Sequence, residues 1–332
     1  MVPALPRIGR RRAVQAAVAA AVALALLLWW LLPFGQTAPT QGTVSFTTGV
    51  PTGVYSRYGE LLKRHLAKDL PGVDMRLQYS EGSVQNIERL VSGEAGFTIA
   101  TSDAVATYRD RGGKDADRLR ACARLYDDYM QLVVPAGTGV DSAAELRGKR
   151  VAIGQQGSGV SLITGRLLKA AGLDPRKDIE PVRVGIDKMP DLLREGKIDA
   201  FFWSGGLPTG AVTDLADDFG IRLVQLGDLV DKLHAQGAAT RYYRAAGMPA
   251  DAYPGVQNGK AVKTLAVSNL LVTTDRMEPG LTEGITRTVI DSRDRIGSQV
   301  HAAQLVDLRT AIFTDPLTLH EGARRYYRSV KS

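Results

Sequence analysis

Four short loops carry the residue types that proteins use to bind small anions. Each loop contains serine, threonine or asparagine, three of the four also contain glycine, and each runs into a helical segment. The loops are residues 48–55 (TGVPTGVY), 79–86 (YSEGSVQN), 98–103 (TIATSD) and 154–161 (GQQGSGVS). Glycine lets backbone N–H groups approach a ligand, and the helix behind adds a partial positive charge. One such turn caps a helix more often than it binds a ligand, but four together favour a binding cleft.

The rest of the chain offers no catalytic or metal-binding pattern. Residues 154–161 lack the Gly-Lys-Ser/Thr of a P-loop and the glycine spacing of a dinucleotide-binding turn. The four histidines show no H-x-x-x-H spacing, and the single cysteine, Cys122, is predicted to be a small buried residue. Asp127 and Asp128 are adjacent, so on a strand they point to opposite faces; we predict that they are solvated or cap a turn. The sequence therefore predicts neither an enzyme nor a cofactor or metal site.

The four loops need a framework that brings them to one edge of a sheet, and the periodicity of the chain supplies it. Strands are predicted at residues 43–48, 75–79, 95–100, 125–135, 149–154, 182–184, 198–203, 221–225 and 263–273. Helices are predicted at residues 55–68, 84–92, 160–171, 190–195, 281–296 and 301–310. The alternation predicts an α/β protein with mainly parallel sheets, in which ligands bind at the carboxyl ends of the strands.

Two long predicted strands, near residues 130 and 265, indicate a hinged pair of lobes. We expect lobe 1 to comprise residues 43–132 and 263–332, and lobe 2 to comprise residues 133–262. The aromatic and basic residues at 324–328 (RRYYR) predict an amphipathic helix that packs on the first lobe.

The N-terminus has the pattern of a membrane segment. A basic arm, residues 1–12, precedes an apolar run of 22 residues at 13–34, and a bilayer-spanning helix needs about 20. The run is long for a secretory signal and lacks a good cleavage site, so a retained transmembrane anchor is favoured over a cleaved signal. The arginines place the arm in the cytoplasm, and the linker at 35–42 leads to an extracytoplasmic remainder. Four of the seven excess positive charges lie in the arm, so the remainder is near neutral and nucleic-acid binding is not expected.

Seven segments, in this order, resemble the TAXI-type solute-binding subunits of TRAP transporters. They are residues 48–59 (TGVPTGVYSRYG), 80–93 (SEGSVQNIERLVSG), 100–104 (ATSDA), 146–159 (LRGKRVAIGQQGSG), 197–208 (KIDAFFWSGGLP), 253–255 (YPG) and 320–327 (HEGARRYY). The resemblance implies a two-lobed, hinged, type II periplasmic-binding-protein fold. It also implies capture of a small carboxylate-bearing solute, such as an acidic amino acid or a dicarboxylate, for the membrane subunits of an ion-gradient-driven TRAP permease.

The resemblance implies a set of ligand-binding residues as well. They are Gly49, Gly53, Val54, Tyr55, Ser83, Asn86, Ser102 and Asp103 in the first lobe, and Gly157, Ser158, Gly159, Ser161, Gly206 and Pro208 in the second. Backbone amides at helix starts would hold the carboxylate. Asp103 has two alternatives that stay open at this point, accepting from an amino group of the solute or capping the helix that follows.

The chain also departs from the family pattern. Ser56 stands where a second aromatic usually follows Tyr55, and Glu321 replaces a usual proline. Members usually carry a cleaved signal or a lipid anchor, whereas this chain is predicted to keep its helix. A tethered binding domain with a sensory or regulatory role, without a transporter, is therefore the alternative function.

Overall fold

The computed structural model describes residues 41–331 and, before them, residues 11, 15, 18, 19, 22 and 23. The compact unit considered below is Gln41–Ser332. The predicted arm, anchor and linker fall almost entirely outside the described residues. Among the helices that are described, none has the length and apolar character needed to cross a bilayer.

The described residues form a ten-stranded sheet with helices packed against it. The strands are β1 (Gly42–Thr47), β2 (Val73–Gln78), β3 (Phe97–Thr101), β4 (Leu119–Pro135), β5 (Arg150–Ala152), β6 (Glu180–Val182), β7 (Ala200–Gly205), β8 (Ile221–Val224), β9 (Arg244–Met248) and β10 (Val262–Thr274).

Eleven α-helices cover the sheet in the part of the chain that the structure describes after residue 40. They are α1 (Val54–Asp69), α2 (Ser83–Ser92), α3 (Ser102–Asp110), α4 (Gly159–Ala170), α5 (Met189–Arg194), α6 (Gly210–Asp218), α7 (Val230–His234), α8 (Pro254–Gln257), α9 (Pro279–Asp291), α10 (Arg293–Gly297) and α11 (Glu321–Ser329). Short 3₁₀ turns lie at Ala116–Arg118, Ala143–Leu146, Gly227–Leu229, Ala238–Tyr242 and His301–Leu305.

The two long strands, β4 and β10, lie side by side in the middle of the sheet and divide it into two halves. The strand order is β2-β1-β3-β10-β4-β7-β5-β6, with β8 on β4 and β9 on β10. We call β1–β3 with α1–α3 and α9–α11 the first half, and β5–β9 with α4–α8 the second half; β4 and β10 belong to both. The bounds of the predicted lobes remain a prediction.

The sheet is mixed, and the expectation of mainly parallel sheets is corrected accordingly. β1 pairs in parallel with β2 and β3, and β5 pairs in parallel with β6 and β7. The long strands run antiparallel to every neighbour, as in β10 with β3 and β4, and in β4 with β7. Each half therefore keeps a parallel core, whose carboxyl strand ends face the other half.

The sequence forms these elements because apolar residues recur at the spacing that each one requires. In α1, Tyr58, Leu61, Leu62 and Leu66 occupy one helical face and are fully or almost fully buried. They share a hydrophobic cluster with Tyr326 and Tyr327, so the C-terminal helix packs on the first half, as its aromatic and basic pattern predicts. The second half has separate clusters around its own parallel strands.

Several predicted elements differ from the observed ones. The helix predicted at 281–296 breaks at Ser292, whose hydroxyl hydrogen-bonds the Thr288 carbonyl and competes with the helical pattern. The helix predicted at 301–310 is only the 3₁₀ turn His301–Leu305. Strand β9 and helix α6 were not predicted, and β4 begins six residues before its predicted start.

Candidate functional site

A cleft lies between the two halves, at the carboxyl ends of the parallel strands. Loops from both halves line it, as the sequence predicts from their position after strands. The predicted site residues that line it are Gly49, Gly53, Val54, Tyr55, Ser83, Ser158 and Gly159. Half of the ligand-binding residues that the resemblance implies therefore line this one cavity.

The other predicted residues lie elsewhere. Gly206 and Pro208 line a second cavity, which shares Gly53, Val54 and Trp203 with the cleft. Asn86, Ser102, Asp103, Gly157 and Ser161 do not line the cleft.

Asn86 has a structural role in the first half. Its amide nitrogen donates to the carbonyls of Thr48 (2.6 Å) and Ile99 (3.1 Å), and its oxygen accepts from the hydroxyls of Thr47 and Ser80. The side chain is fully buried and all of these bonds are made within the protein. Asn86 thus fixes the loops after β1 and β2 and has no capacity left for a solute.

Asp103 also has a structural role, because it links the two halves of the protein. Its carboxylate accepts from Arg166 on α4 (3.3 Å) and from the Tyr243 hydroxyl (2.7 Å), so it joins α3 in the first half to the second half. Arg166 reaches the Thr107 hydroxyl as well (2.7 Å). Burial raises the pKa of Asp103, and the guanidinium beside it offsets part of that rise. The Asp103 side chain does not line the cleft, and the N-cap residue of α3 is Thr101. The Ala104 amide in the first turn of α3 also stabilises the carboxylate and helps to lower its pKa.

The cleft is lined further by twelve residues that were not among the implied ligand-binding residues, although seven of them lie in the four predicted loops. The twelve are Val50, Glu81, Gly82, Thr101, Asp128, Gly154, Gln155, Val160, Gly185, Met189, Trp203 and Ser204. Strand alternation separates Asp127 from Asp128, but the expectation that they are solvated or cap a turn is wrong for Asp128, which lies buried within β4. Asp128 is 95% buried, with 5% of its surface exposed, because β4 passes under the cleft between the halves.

Two helices, one from each half, point their N-termini into the cleft. Gly53 and Val54 begin α1, and Ser158 and Gly159 begin α4. The backbone N–H groups of Val54, Gly159 and Val160 donate to no described residue. Free first-turn amides and the helix dipole together make a favourable position for an anionic group.

A hydrogen-bonded network fixes the first-half wall. The Tyr55 hydroxyl donates to Asn269 Oδ1 on β10 and contacts Ser83 Oγ (3.1 Å), which in turn accepts from the Thr101 amide (3.2 Å). Burial raises the pKa of the Tyr55 phenol well above its ordinary value, so it remains a neutral donor. The wall is therefore a preorganised surface.

The floor of the cleft leaves several buried polar atoms without a hydrogen-bond partner. Among the described residues, these include Asp128 Oδ1, Thr101 Oγ1 and Ser204 Oγ, all on lining residues. Burial raises the pKa of the Asp128 carboxyl to about 7, and the nearby Asn269 amide offsets this in part. Six other orphaned atoms lie on described residues that do not line the cleft, so the three in the cleft are distinguished by their access to a bound molecule.

The two halves touch directly beside the cleft. The N–H groups of Val84 and Gln85, in the first turn of α2, both donate to the Gly157 carbonyl of the second half (3.1 Å each). Gly82 lies against Ser158, because a Cβ placed on Gly82 would be 3.4 Å from Ser158 Cα. These contacts explain why Gly157 does not line the cleft: its carbonyl belongs to the closure between the halves.

The residues around the cleft are mostly glycine, hydroxyl-bearing and apolar residues. Within residues 41–331 no group of three His, Cys, Asp or Glu side chains is placed to hold a metal ion. The cleft lining contains two acidic side chains, Glu81 and Asp128, and none from lysine, arginine or histidine. An arrangement of free amides, hydroxyls and one buried carboxylate recognises polar groups of a small molecule.

Comparison with known proteins supports the fold. A family model described as the NMT1-like family matches residues 46–330. Similar solved structures include one from Bordetella bronchiseptica RB50, at 14% identity and a TM-score of 0.55, covering 88% of this chain and 99% of that chain. An ancestral arginine-binding protein bound to arginine is 16% identical, with a TM-score of 0.51 over 78% of this chain and 98% of that one.

A third similar structure is a putative L-cystine ABC transporter from Listeria monocytogenes, at 14% identity and a TM-score of 0.50, covering 81% of this chain and 99% of that chain. At these identities the likeness establishes the fold alone. The fold is the α/β type II fold of periplasmic binding proteins, as the resemblance of the sequence implied.

Proposed function

Since this chain belongs to the NMT1-like family, we propose that it captures a small solute outside the cytoplasm and does not change it chemically. The solute bears a carboxylate, the class that includes acidic amino acids and dicarboxylates. The two halves act as lobes that close on it by bending at β4 and β10, the long strands that both lobes share. The protein then delivers the solute to the membrane subunits of an ion-gradient-driven TRAP permease, to which an N-terminal helix in the membrane keeps it close.

One observation carries this proposal: the free amides of two helix N-termini meet in the cleft from opposite halves. Val54 on α1 and Gly159 on α4 present N–H groups without acceptors to the same cavity. A carboxylate placed between them would satisfy amides of both halves at once. Such a solute favours the closed arrangement, because it makes its full set of bonds only when the halves are together.

The enzyme alternative lacks support from the lining residues. Asp128 is buried without a nearby base, and Ser158 accepts from the Ser161 amide and donates to the Gln155 carbonyl as the N-cap of α4. A hydroxyl held in this way caps a helix and is not activated as a nucleophile.

The test is a thermal-shift screen of the full-length chain against amino acids, dicarboxylates and keto acids. A solute at 100-fold over its dissociation constant stabilises the fold by about 2.7 kcal/mol, which raises the melting temperature measurably. Ser158→Trp places an indole against Gly82, where the halves meet, so it should abolish the ligand-induced shift.

The matched control is Ser142→Trp. Ser142 also caps a helical turn through its side chain, but it lies outside the cleft. Both variants lose a cap worth about 1 kcal/mol, and only Ser158→Trp should lose the solute response. Undiminished solute binding by Ser158→Trp would show that the site is elsewhere.

A further inference from the structure

Asp128 stands out among the cleft residues because a charged group is buried there without a charged partner. It is 95% buried, lines the cleft, and its Oδ1 accepts no hydrogen bond from any described residue. A buried carboxylate without a partner carries a free-energy cost of several kcal/mol unless a cation or several donors reach it.

The protein itself supplies little to offset that cost. Asn269 lies beside Asp128, but a carboxylate has about four lone-pair positions and one amide fills at most two of them. The charged or titratable groups that act on Asp128 are Asp127 on its own strand and Asp103 on α3, both acidic. The phenols of Tyr55 and Tyr126 face it from α1 and β4, and neither carries a positive charge.

Protonation relieves part of that cost, since the pKa of Asp128 is about 7, and a cationic group of the solute would supply the partner that the ionised carboxylate lacks. Ser204 Oγ lacks a partner and lines the same cavity, as does Thr101, whose hydroxyl also lies close enough to Asp103 to lower the pKa of that carboxyl. A group with several N–H donors therefore meets oxygen acceptors there. An ammonium has three donors and a positive charge, which matches one carboxylate and two hydroxyls. A second carboxylate of the solute, as in a dicarboxylate, has no N–H donors and no positive charge. It would lie near the acidic side chains of Asp128 and Glu81, with no basic side chain in the lining.

We propose that Asp128 is the specificity-determining residue of the cleft and selects solutes that bring an ammonium group to it. The solute class is a zwitterion without net negative charge, held by its carboxylate at the starts of α1 and α4 and by its ammonium at Asp128. This inference rests on the proposed function, and it excludes the dicarboxylates from the wider class named there. It also disfavours acidic amino acids, whose additional carboxylate has no cation in the cleft.

The experiment is isothermal titration of the full-length chain with matched pairs of solutes. Each neutral L-amino acid is compared with its 2-hydroxy and 2-oxo acid, and succinate and glutarate represent the dicarboxylates. A bound amino acid should exceed its amine-free counterpart by about 100-fold or more in affinity, because an unpaired buried charge costs several kcal/mol. Asp128→Asn should remove that difference and weaken the amino acid by a similar factor.

Asp127→Asn is the matched control, since it removes the neighbouring carboxylate on the opposite face of β4. Asp127 pairs with Arg124 and Arg244 outside the cleft, so both solute classes should keep their affinities within about 2-fold. The proposal is overturned if a 2-oxo acid or glutarate binds as tightly as the amino acid, or if Asp128→Asn leaves amino-acid affinity unchanged; the proposed function survives either result. If no carboxylate of any class binds, the proposed function fails, and this inference fails with it.

Discussion

Two buried aspartates lie where the halves of the molecule meet, and their surroundings are opposite. Asp103 is fully buried beneath Arg166 and Tyr243, which come from the second half and donate to one of its oxygens. Asp128 is almost as buried, but it faces the open cleft and no cation of the described protein reaches it. Asp103 Oδ1 and Asp128 Oδ1 both lack a hydrogen-bond partner, so the difference between the two residues is the cation: Arg166 pairs with Asp103, and no described cation pairs with Asp128.

This difference teaches that burial of a charge does not identify a binding site. Burial raises the pKa of both carboxyl groups. The two carboxylates differ in their partners. A carboxylate that is paired with a cation of the protein stabilises the fold, whereas an unpaired carboxylate on a cavity wall is available to a ligand. Four predictions test whether the distinction holds.

The largest effect is expected on the paired side. Arg166→Met should lower the free energy of unfolding by about 3 kcal/mol, because it leaves Asp103 buried without its cation. Denaturant unfolding followed by circular dichroism measures this loss. Arg194→Met is the control, because Arg194 makes exposed pairs with Asp191 and Asp218 that contribute under about 1 kcal/mol. Equal losses in the two variants would remove the contrast on which the comparison depends.

The unpaired side should respond in the opposite direction. Asp128→Asn is expected to raise the free energy of unfolding of the ligand-free protein by about 2 kcal/mol at pH 8, because an uncompensated buried charge is removed. The gain should be smaller at pH 5. The pKa of Asp128 is about 7 in the folded protein and about 3.9 in an unfolded chain. Between these two pH values the folded carboxyl keeps its proton, whereas the unfolded carboxyl loses it.

The contribution of Asp128 to stability is therefore largest at low pH and is lost as the pH rises through about 7. Unfolding of the wild type and the variant at both pH values isolates this contribution from all other titrating groups. An equal gain at pH 5 and pH 8, or a loss of stability at pH 8, would mean that the Asp128 charge already has a partner.

A third prediction concerns the closure that brings both halves to the cleft. Gly82→Ala should weaken solute binding by about 10-fold, because a φ of +123° is unfavourable for alanine and the strained backbone lies in contact with Ser158 of the second half. Gly93→Ala is a matched control at the other end of α2. Gly93 has a φ of +86° and no atom within 4 Å of an added Cβ.

Both variants should lose about 1 kcal/mol of stability, measured by thermal unfolding, and only Gly82→Ala should lose affinity in titration. If Gly93→Ala weakens binding as much as Gly82→Ala, backbone strain in α2 rather than contact between the halves governs the cleft.

The smallest effect is expected at Asp127. Asp127→Asn should change the free energy of unfolding by less than about 1 kcal/mol, because its pairs with Arg124 and Arg244 are partly exposed. The same denaturant titration as for Asp128→Asn reports it. A larger change than that of Asp128→Asn would show that the position on β4, and not the missing partner, makes this segment sensitive.

Much of the framework was predictable, because its signals are local. Apolar spacing in α1 and the glycine-rich turns after β1 and β5 identified the strand-to-helix junctions that line the cleft. Strand alternation also put Asp127 and Asp128 on opposite faces. Which face lies toward the cleft depends on the pairing of β4 with both β10 and β7, and that is not visible in the local sequence.

Long-range partners were out of reach for the same reason. Asp103 and Arg166 are separated by 63 residues, and Asp103 and Tyr243 by 140, so no spacing rule connects them. Without these partners, an acidic residue directly after a strand has the pattern of a ligand contact. Trp203 lies in one of the seven segments that resemble the TAXI-type family, but that segment does not show that the residue lines the cleft. Its position there depends on how β7 packs in the sheet.

The Gly157 carbonyl, which receives two N–H groups from the start of α2, has a consequence for the timing of solute exchange. These two bonds are made by the protein alone, so an opening of the halves that releases a solute has to break both of them whichever solute is bound. Residence time then has a minimum set by the chain's own backbone, common to strong and weak solutes alike. Solutes would therefore differ mainly in the probability that the halves close after a solute enters, and less in the rate at which a bound solute is released.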